Sequence, residues 1–235
     1  MKICGLQKMT LLDYPSQVAC TVFLGSCNLR CPFCHNSELL DYNVSPLMSE
    51  EELFVFLKKR QGFLDAVCIS GGEPTLQKDL PFFIEKIKKL GYLVKLDTNG
   101  SKPEVLRQLI NSNLLDYVAM DIKNDELRYA ETCGLKAINL EPFMNSLTQL
   151  LKGSIDYELR TTVIKQLHDA ESFTNIARML QKLAPGKLCT RYYLQPFVDR
   201  ETVIFKNFSA PTKQKLQEYK HILEQAAKYV EIRGL

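Results

Sequence analysis

Cys27, Cys31 and Cys34 follow the spacing C-x3-C-x2-C within the eight residues Cys27-Asn28-Leu29-Arg30-Cys31-Pro32-Phe33-Cys34. Thiolates are soft ligands suited to iron and zinc, and three of them on one tight loop hold three corners of a cubane iron–sulfur cluster while leaving the fourth iron open. A site that only staples a fold takes four protein ligands, so three without an obvious fourth point to a reactive metal. Two other metal readings use the same residues. A catalytic zinc takes three protein ligands and a water. Cys31-Pro32-Phe33-Cys34-His35 also fits C-x2-C-H, the c-type haem attachment pattern, but that chemistry belongs to exported chains, and Met1–Met9 lacks the continuous apolar run of an export signal.

Four later clusters carry further chemistry. In Ser70-Gly71-Gly72-Glu73-Pro74 the paired glycines let the backbone approach a ligand closely and offer its carbonyls to a charged amino group; alone, the pair is an ordinary turn. Asp97-Thr98-Asn99-Gly100 and Asp121-Ile122-Lys123 each contribute a carboxylate suited to a hydroxyl-rich or cationic ligand. Each Asp would serve equally well as a helix cap or in an Asx-turn, and Lys123 reads equally as a surface lysine. Arg160-Thr161-Thr162 and Leu194-Gln195-Pro196-Phe197 complete the set.

These residues must be positioned by a regular scaffold. Six runs rich in β-branched and aromatic residues (17–24, 65–70, 92–97, 116–121, 156–163 and 189–197) alternate with helical segments. Helices are expected at 50–60, opened by the capping box Ser49-Glu50-Glu51-Glu52, at 79–90, with apolar Leu80, Phe83, Ile84, Ile87 and Leu90 on one face, and from Pro103 to 111. Others are expected at 142–151, 171–183 and 212–228. Alternating strands and helices with right-handed connections predict a parallel α/β sheet. Six units are too few for an eightfold barrel, so the expected fold is a partial (β/α)6 TIM-like barrel. Residues 1–16, with 2–12 in particular, are expected to form an N-terminal extension of the barrel, 199–235 a C-terminal segment, and 229–233 a short final strand. In such folds the active site lies at the C-terminal ends of the strands, and the unusual residues fall there.

The 235 residues suit one domain spanning 1–235, with no linker or low-complexity segment. Lys and Arg total 30 against 27 Asp and Glu, so no strongly basic face for nucleic acid is implied. No stretch is long enough to span a membrane, and a cytoplasmic location is expected. Cys4, Cys20, Cys68, Cys133 and Cys189 are scattered singly, which disfavours a disulfide framework; Cys20, Cys68 and Cys189 lie in apolar runs and read as small buried hydrophobes.

In this order the motifs resemble those of the radical S-adenosylmethionine (SAM) enzymes, in the branch that activates glycyl-radical enzymes. They are most similar to the activating proteins of anaerobic (class III) ribonucleoside-triphosphate reductases, related to pyruvate formate-lyase activating enzyme. The resemblance implies that Cys27, Cys31 and Cys34 bind one [4Fe-4S] cluster whose open iron is chelated by the amino and carboxylate groups of SAM. Phe33 and His35 would lie along the adenine, and the Gly71-Gly72-Glu73 backbone would receive the methionine amino group. Asp97 and Asp121 match positions that help hold a monovalent cation near the methionine carboxylate. Lys123 would lie close to the cofactor and the substrate loop, with Thr98, Arg160 and Gln195 also counted as cofactor-binding. The activity implied is reductive cleavage of SAM to methionine and a 5′-deoxyadenosyl radical, which abstracts hydrogen from a glycine of a partner enzyme, with flavodoxin or ferredoxin as electron donor.

Two departures qualify the likeness. The formate-lyase type has a His just after the sixth strand, whereas Gln195-Pro196-Phe197-Val198 has none. Between His35 and Ser70 only Cys68 is present, so no auxiliary cluster is expected. The long connections 36–48 and 198–211 are expected to leave the site open enough for a polypeptide loop. Two rival functions stand beside the activase: a radical SAM enzyme acting on a small molecule, like the deazaguanine synthases, and a non-catalytic zinc- or iron-binding module.

Overall fold

The computed structural model describes residues 1–234; Leu235, the last residue of the expected domain and C-terminal segment, lies outside them. Eight strands run in sheet order β1 to β8 in an open, mostly parallel α/β sheet: β1 Ile3–Thr10, β2 Ala19–Leu24, β3 Ala66–Gly71, β4 Leu93–Thr98, β5 Tyr117–Asp121, β6 Asp156–Val163, β7 Cys189–Pro196 and β8 Ala227–Ile232. The helices are α1 Glu50–Arg60, α2 Leu80–Lys89, α3 Pro103–Asn111, the short α4 Tyr129–Thr132, α5 Glu141–Lys152, α6 Ala170–Leu183 and α7 Lys213–Leu223. The described residues divide into two compact units, 1–28 with 38–98 and 102–119, and 29–37 with 99–101 and the residues from 120 onward.

In the first unit β2, β3 and β4 pair in parallel, Cys20 beside Val67 and Cys68 beside Lys95. Their centres are fully buried, so apolar residues run continuously rather than alternating. Helix α1 begins where expected: Ser49 Oγ accepts from the Glu52 amide and Glu52 returns a bond to the Ser49 amide, satisfying two otherwise orphaned donors. Pro103 opens α3, where its missing N–H has no intrahelical partner to lose. The segment at 2–12, expected as an N-terminal extension, carries strand β1. It pairs antiparallel with β2 through two register shifts and supplies a neighbour for an edge that would otherwise present unpaired backbone.

In the second unit β6, β7 and β8 are parallel, with Thr161 beside Leu194 and Tyr192 beside Val230. Helix α6 is opened by a capping box between Asp169 and Ser172. The helix expected over 212–228 starts from its Thr212 cap but stops at Leu223, because Ala227 is drawn into register with Cys189 on β7. The expected strand at 229–233 therefore begins earlier, at Ala227. Buried Glu158 on β6 is held by both guanidinium nitrogens of Arg233 at 2.9 and 2.8 Å, and that guanidinium stacks 3.3 Å above the Tyr193 ring.

Candidate functional site

In the first unit the chain leaves β2 at Leu24 and reaches Cys27, which is buried. The end of β3 is locked to this segment: the Gly72 amide donates to Leu24 O at 2.8 Å and the Glu73 amide to Ser26 O at 2.7 Å. A Cβ on Gly72 would stand 2.1 Å from Ser26 O, and one on Gly71, at φ +112°, 2.4 Å from Leu24 O. The glycines are thus required by the approach of this chain's own backbone, before any ligand is considered. The Glu73 side chain is fully buried and faces inward. Its Oε1 accepts from the Thr75 amide at 3.1 Å, from the Thr75 hydroxyl, and from Thr98 Oγ1 at 2.8 Å. Glu73 and Thr98, both expected to bind cofactor, therefore tie the end of β3 to the end of β4 with their polar side-chain atoms. Asp97 on β4 caps no helix; it accepts from Ser70 Oγ at 2.9 Å and from the Lys95 ammonium at 2.7 Å.

In the second unit Cys31 and Cys34 are partly exposed, and the Cys34 amide donates to Cys31 O at 3.1 Å. The Arg30 amide donates to the carbonyl of Cys133 at 2.9 Å, where α4 ends. Gly134, at φ +70°, leaves room for that contact, since a Cβ there would lie 2.0 Å from Arg30 O. A hydrogen bond from the Cys133 thiol lowers the Cys31 pKa to about 7 against the effect of burial, with the Lys123 charge adding to it. Burial pushes the Cys34 thiol up. Lys123 is no surface lysine: it is largely buried and reaches Asp121 Oδ2 at 3.0 Å. Burial disfavours its charge, but the Asp121 carboxylate holds its pKa well above the ordinary lysine value. Arg160 Nε donates to the other oxygen of Asp121 at 2.9 Å. Gln195 is half-buried near the end of β7.

Phe33, expected along the adenine, has an apolar setting of its own. It is 4% exposed and packs with Ile164, Leu167, Phe197 and Val203; an apolar ring with that many protein neighbours anchors its loop. His35 stacks on Phe197 at 5.7 Å and its Nε2 meets Val198 O at 2.7 Å. Thr202 Oγ1 donates to His35 O at 2.7 Å, and Ser37 Oγ donates to Thr202 O. The 198–211 connection is thereby fastened to residues 33–37 rather than free. Spacing in the sequence missed Cys133 and His168, whose contacts with this region are long-range; the adjacent pair Cys133-Gly134 was the available signal.

The donor chemistry fits an iron–sulfur cluster: three thiols on one contiguous loop, one of them acidified. Among the described residues no group of three or more His, Cys, Asp or Glu side chains is gathered around a common metal position. A monovalent cation at Asp97 and Asp121 does not fit their surroundings, since each carboxylate already faces a cationic side chain in its own unit. No helix among the described residues is long and apolar enough to cross a membrane.

An open α/β sheet with a three-thiol loop after its first parallel strand defines a class of cluster-bearing partial barrels. Residues 21–196 match the radical SAM superfamily, and the chain belongs to it. Members of this superfamily use a [4Fe-4S] cluster and SAM. A Methanocaldococcus jannaschii protein with the provisional name glycyl-radical enzyme activating enzyme is 34% identical over 97% of this chain and 93% of its own length. A 7-carboxy-7-deazaguanine synthase of Thermococcus kodakarensis is 30% identical over 47% of this chain and 51% of its own. The crystal structure of a domain of pyruvate-formate lyase-activating enzyme from Bacteroides vulgatus shares the fold, with a TM-score of 0.58 at 17% identity over 72% of this chain and 99% of that one.

Proposed function

We propose that the protein is a radical SAM activase that generates a glycyl radical on a partner enzyme, the anaerobic (class III) ribonucleoside-triphosphate reductase. In this reading residues 1–235 act as one functional domain in the cytoplasm, with flavodoxin or ferredoxin as electron donor. The observation that carries it is the likeness to the M. jannaschii protein along nearly the whole of both chains. Cys27, Cys31 and Cys34 would hold a [4Fe-4S] cluster, which when bound supplies the electron that cleaves the sulfonium of SAM.

The rest is orientation and exclusion of water. The amides of Gly72 and Glu73 are committed to Leu24 and Ser26, which holds the Gly71-Gly72 segment in place for the methionine amino group. Buried Glu73 fixes that segment against Thr98. Phe33 seats the loop in its apolar cluster, leaving His35 as the ring on the loop for the adenine. Lys123 and Arg160 hold Asp121 between two cations.

The test mixes reduced, cluster-loaded protein with SAM and a candidate class III reductase, and looks for the glycyl EPR doublet alongside 5′-deoxyadenosine. Deoxyadenosine formed without any protein radical, together with stoichiometric conversion of a small metabolite, would overturn the activase reading. The partial match to the deazaguanine synthase makes that outcome the alternative.

A further inference from the structure

Lys95 is one of the largest fully buried side chains in the chain, at 1% exposure. It sits in the middle of β4 with Val94 and Leu96 on either side, both fully buried. A lysine in such a place is costly unless its charge is paired. Its pairing is specific: residues two apart on a strand share a face, and the ammonium reaches forward along β4 to Asp97 Oδ1 at 2.7 Å. Among the described residues that carboxylate is its one hydrogen-bond partner, although an ammonium carries three donors. Ser70 Oγ takes the other oxygen of Asp97 at 2.9 Å, so the carboxylate is fixed on one side by a hydroxyl and on the other by a positive charge. A compact, monovalent, oxygen-seeking point charge is also what an alkali-metal ion would provide there.

We propose that Lys95 is a built-in cation: its ammonium does at Asp97 the work expected of a bound potassium or sodium ion, and the protein binds SAM without needing one. Lys95 is a positioning residue, acting through Asp97 rather than on the substrate. In the second unit Asp121 is neutralised in the same manner by Lys123 and Arg160. The inference rests on the proposal that this chain binds SAM at its cluster.

The experiment measures equilibrium binding of SAM to anaerobically reconstituted protein in potassium, sodium and choline chloride of equal ionic strength. Wild type is expected to bind with dissociation constants that agree within about twofold across the three salts. Lys95→Met, and Lys95→Gln as the less disruptive neutral variant, are expected to bind about tenfold or more weakly in choline and to recover in potassium. Recovery by a specific alkali ion is a readout that simple misfolding would not produce. Loss of wild-type binding on replacing potassium by choline would overturn the proposal, as would variants that bind like wild type in choline. Failure of the wild type to bind SAM in every salt would instead overturn the assigned activity, and this inference with it.

Discussion

His168 Nε2 donates to the carbonyl oxygen of Lys123 at 2.9 Å while its Nδ1 accepts from the Ile164 amide at 3.1 Å. Both ring nitrogens are committed, so the ring is neutral, buried and oriented by the backbone at each side. It joins the turn after β5, which carries Lys123, to the turn after β6. Neighbouring Asn124 strengthens the joint by donating to Leu167 O and Thr132 Oγ1, both at 2.9 Å.

This geometry sets a pH dependence. Burial lowers the His168 pKa below its ordinary value of 6.5 and Arg128 lowers it further, while the backbone carbonyls of Lys123 and Ile164 and the Asp125 charge oppose the shift. The unfolded chain therefore binds the proton more readily than the folded one. The stability contributed is fully present above pH 6.5 and is lost as pH falls through the folded value. Urea unfolding of cluster-free protein should show decreasing stability as the pH is lowered from about 7.5 to about 5.5. His35, also lowered by burial, adds to the same slope, so the check is the difference between wild type and His168→Gln. An identical slope in the two would contradict the assignment.

Iron content tests the ligand set. Anaerobically reconstituted protein should hold about four irons per chain, the content of one [4Fe-4S] cluster, and Cys27→Ala, Cys31→Ala or Cys34→Ala should lose them. Cys68→Ala and Cys189→Ala, whose buried thiols are pushed well above the ordinary thiol range by burial, that of Cys189 to about 12, should keep iron and lose only packing. Tightly bound zinc without iron–sulfur absorption would contradict the first expectation.

The Gly71-Gly72 turn is constrained by the fold more strongly than a ligand cradle alone would require. Gly72→Ala places its new Cβ against Ser26 O, next to Cys27. It should cost about 1–3 kcal/mol of stability, as overpacking does, and impair iron retention together with SAM binding. A variant with wild-type stability and iron content but no SAM binding would locate the glycine's role in the ligand instead.

Arg233→Met should be among the most damaging changes outside the site. It removes the bidentate partner of the fully buried Glu158 carboxylate, leaving Arg160 at 4.0 Å as the more distant cation, and breaking a buried pair from one side costs up to about 3–5 kcal/mol. Comparing denaturation midpoints of Arg233→Met with those of Arg233→Met/Glu158→Gln checks this: the double variant should recover part of the loss. Equal stability of wild type and Arg233→Met would refute the pairing's importance.

The features legible from residue order are those with local causes. The Ser49–Glu52 capping box, Pro103 at the head of α3, the β-branched runs of the parallel strands and the C-x3-C-x2-C loop each depend on neighbours within a few positions, so spacing alone identifies them. The family resemblance follows from the same local motifs in order. What the tertiary structure decided depends on which segments become neighbours. Residues 2–12 give no strong strand signal, yet β1 forms because β2 offers it an edge. The helical pattern running to 228 yields at Leu223 because Ala227–Ile232 gains a ladder of bonds with β7. Lys95 and Glu158 look like ordinary charged residues in sequence, and nothing there shows that the Glu73 side chain turns to Thr98. Only burial beside Asp97, Thr98 and Arg233 makes each a fixed, paired group, since the cost of desolvating a charge and the partner that offsets it both arise when distant segments pack together.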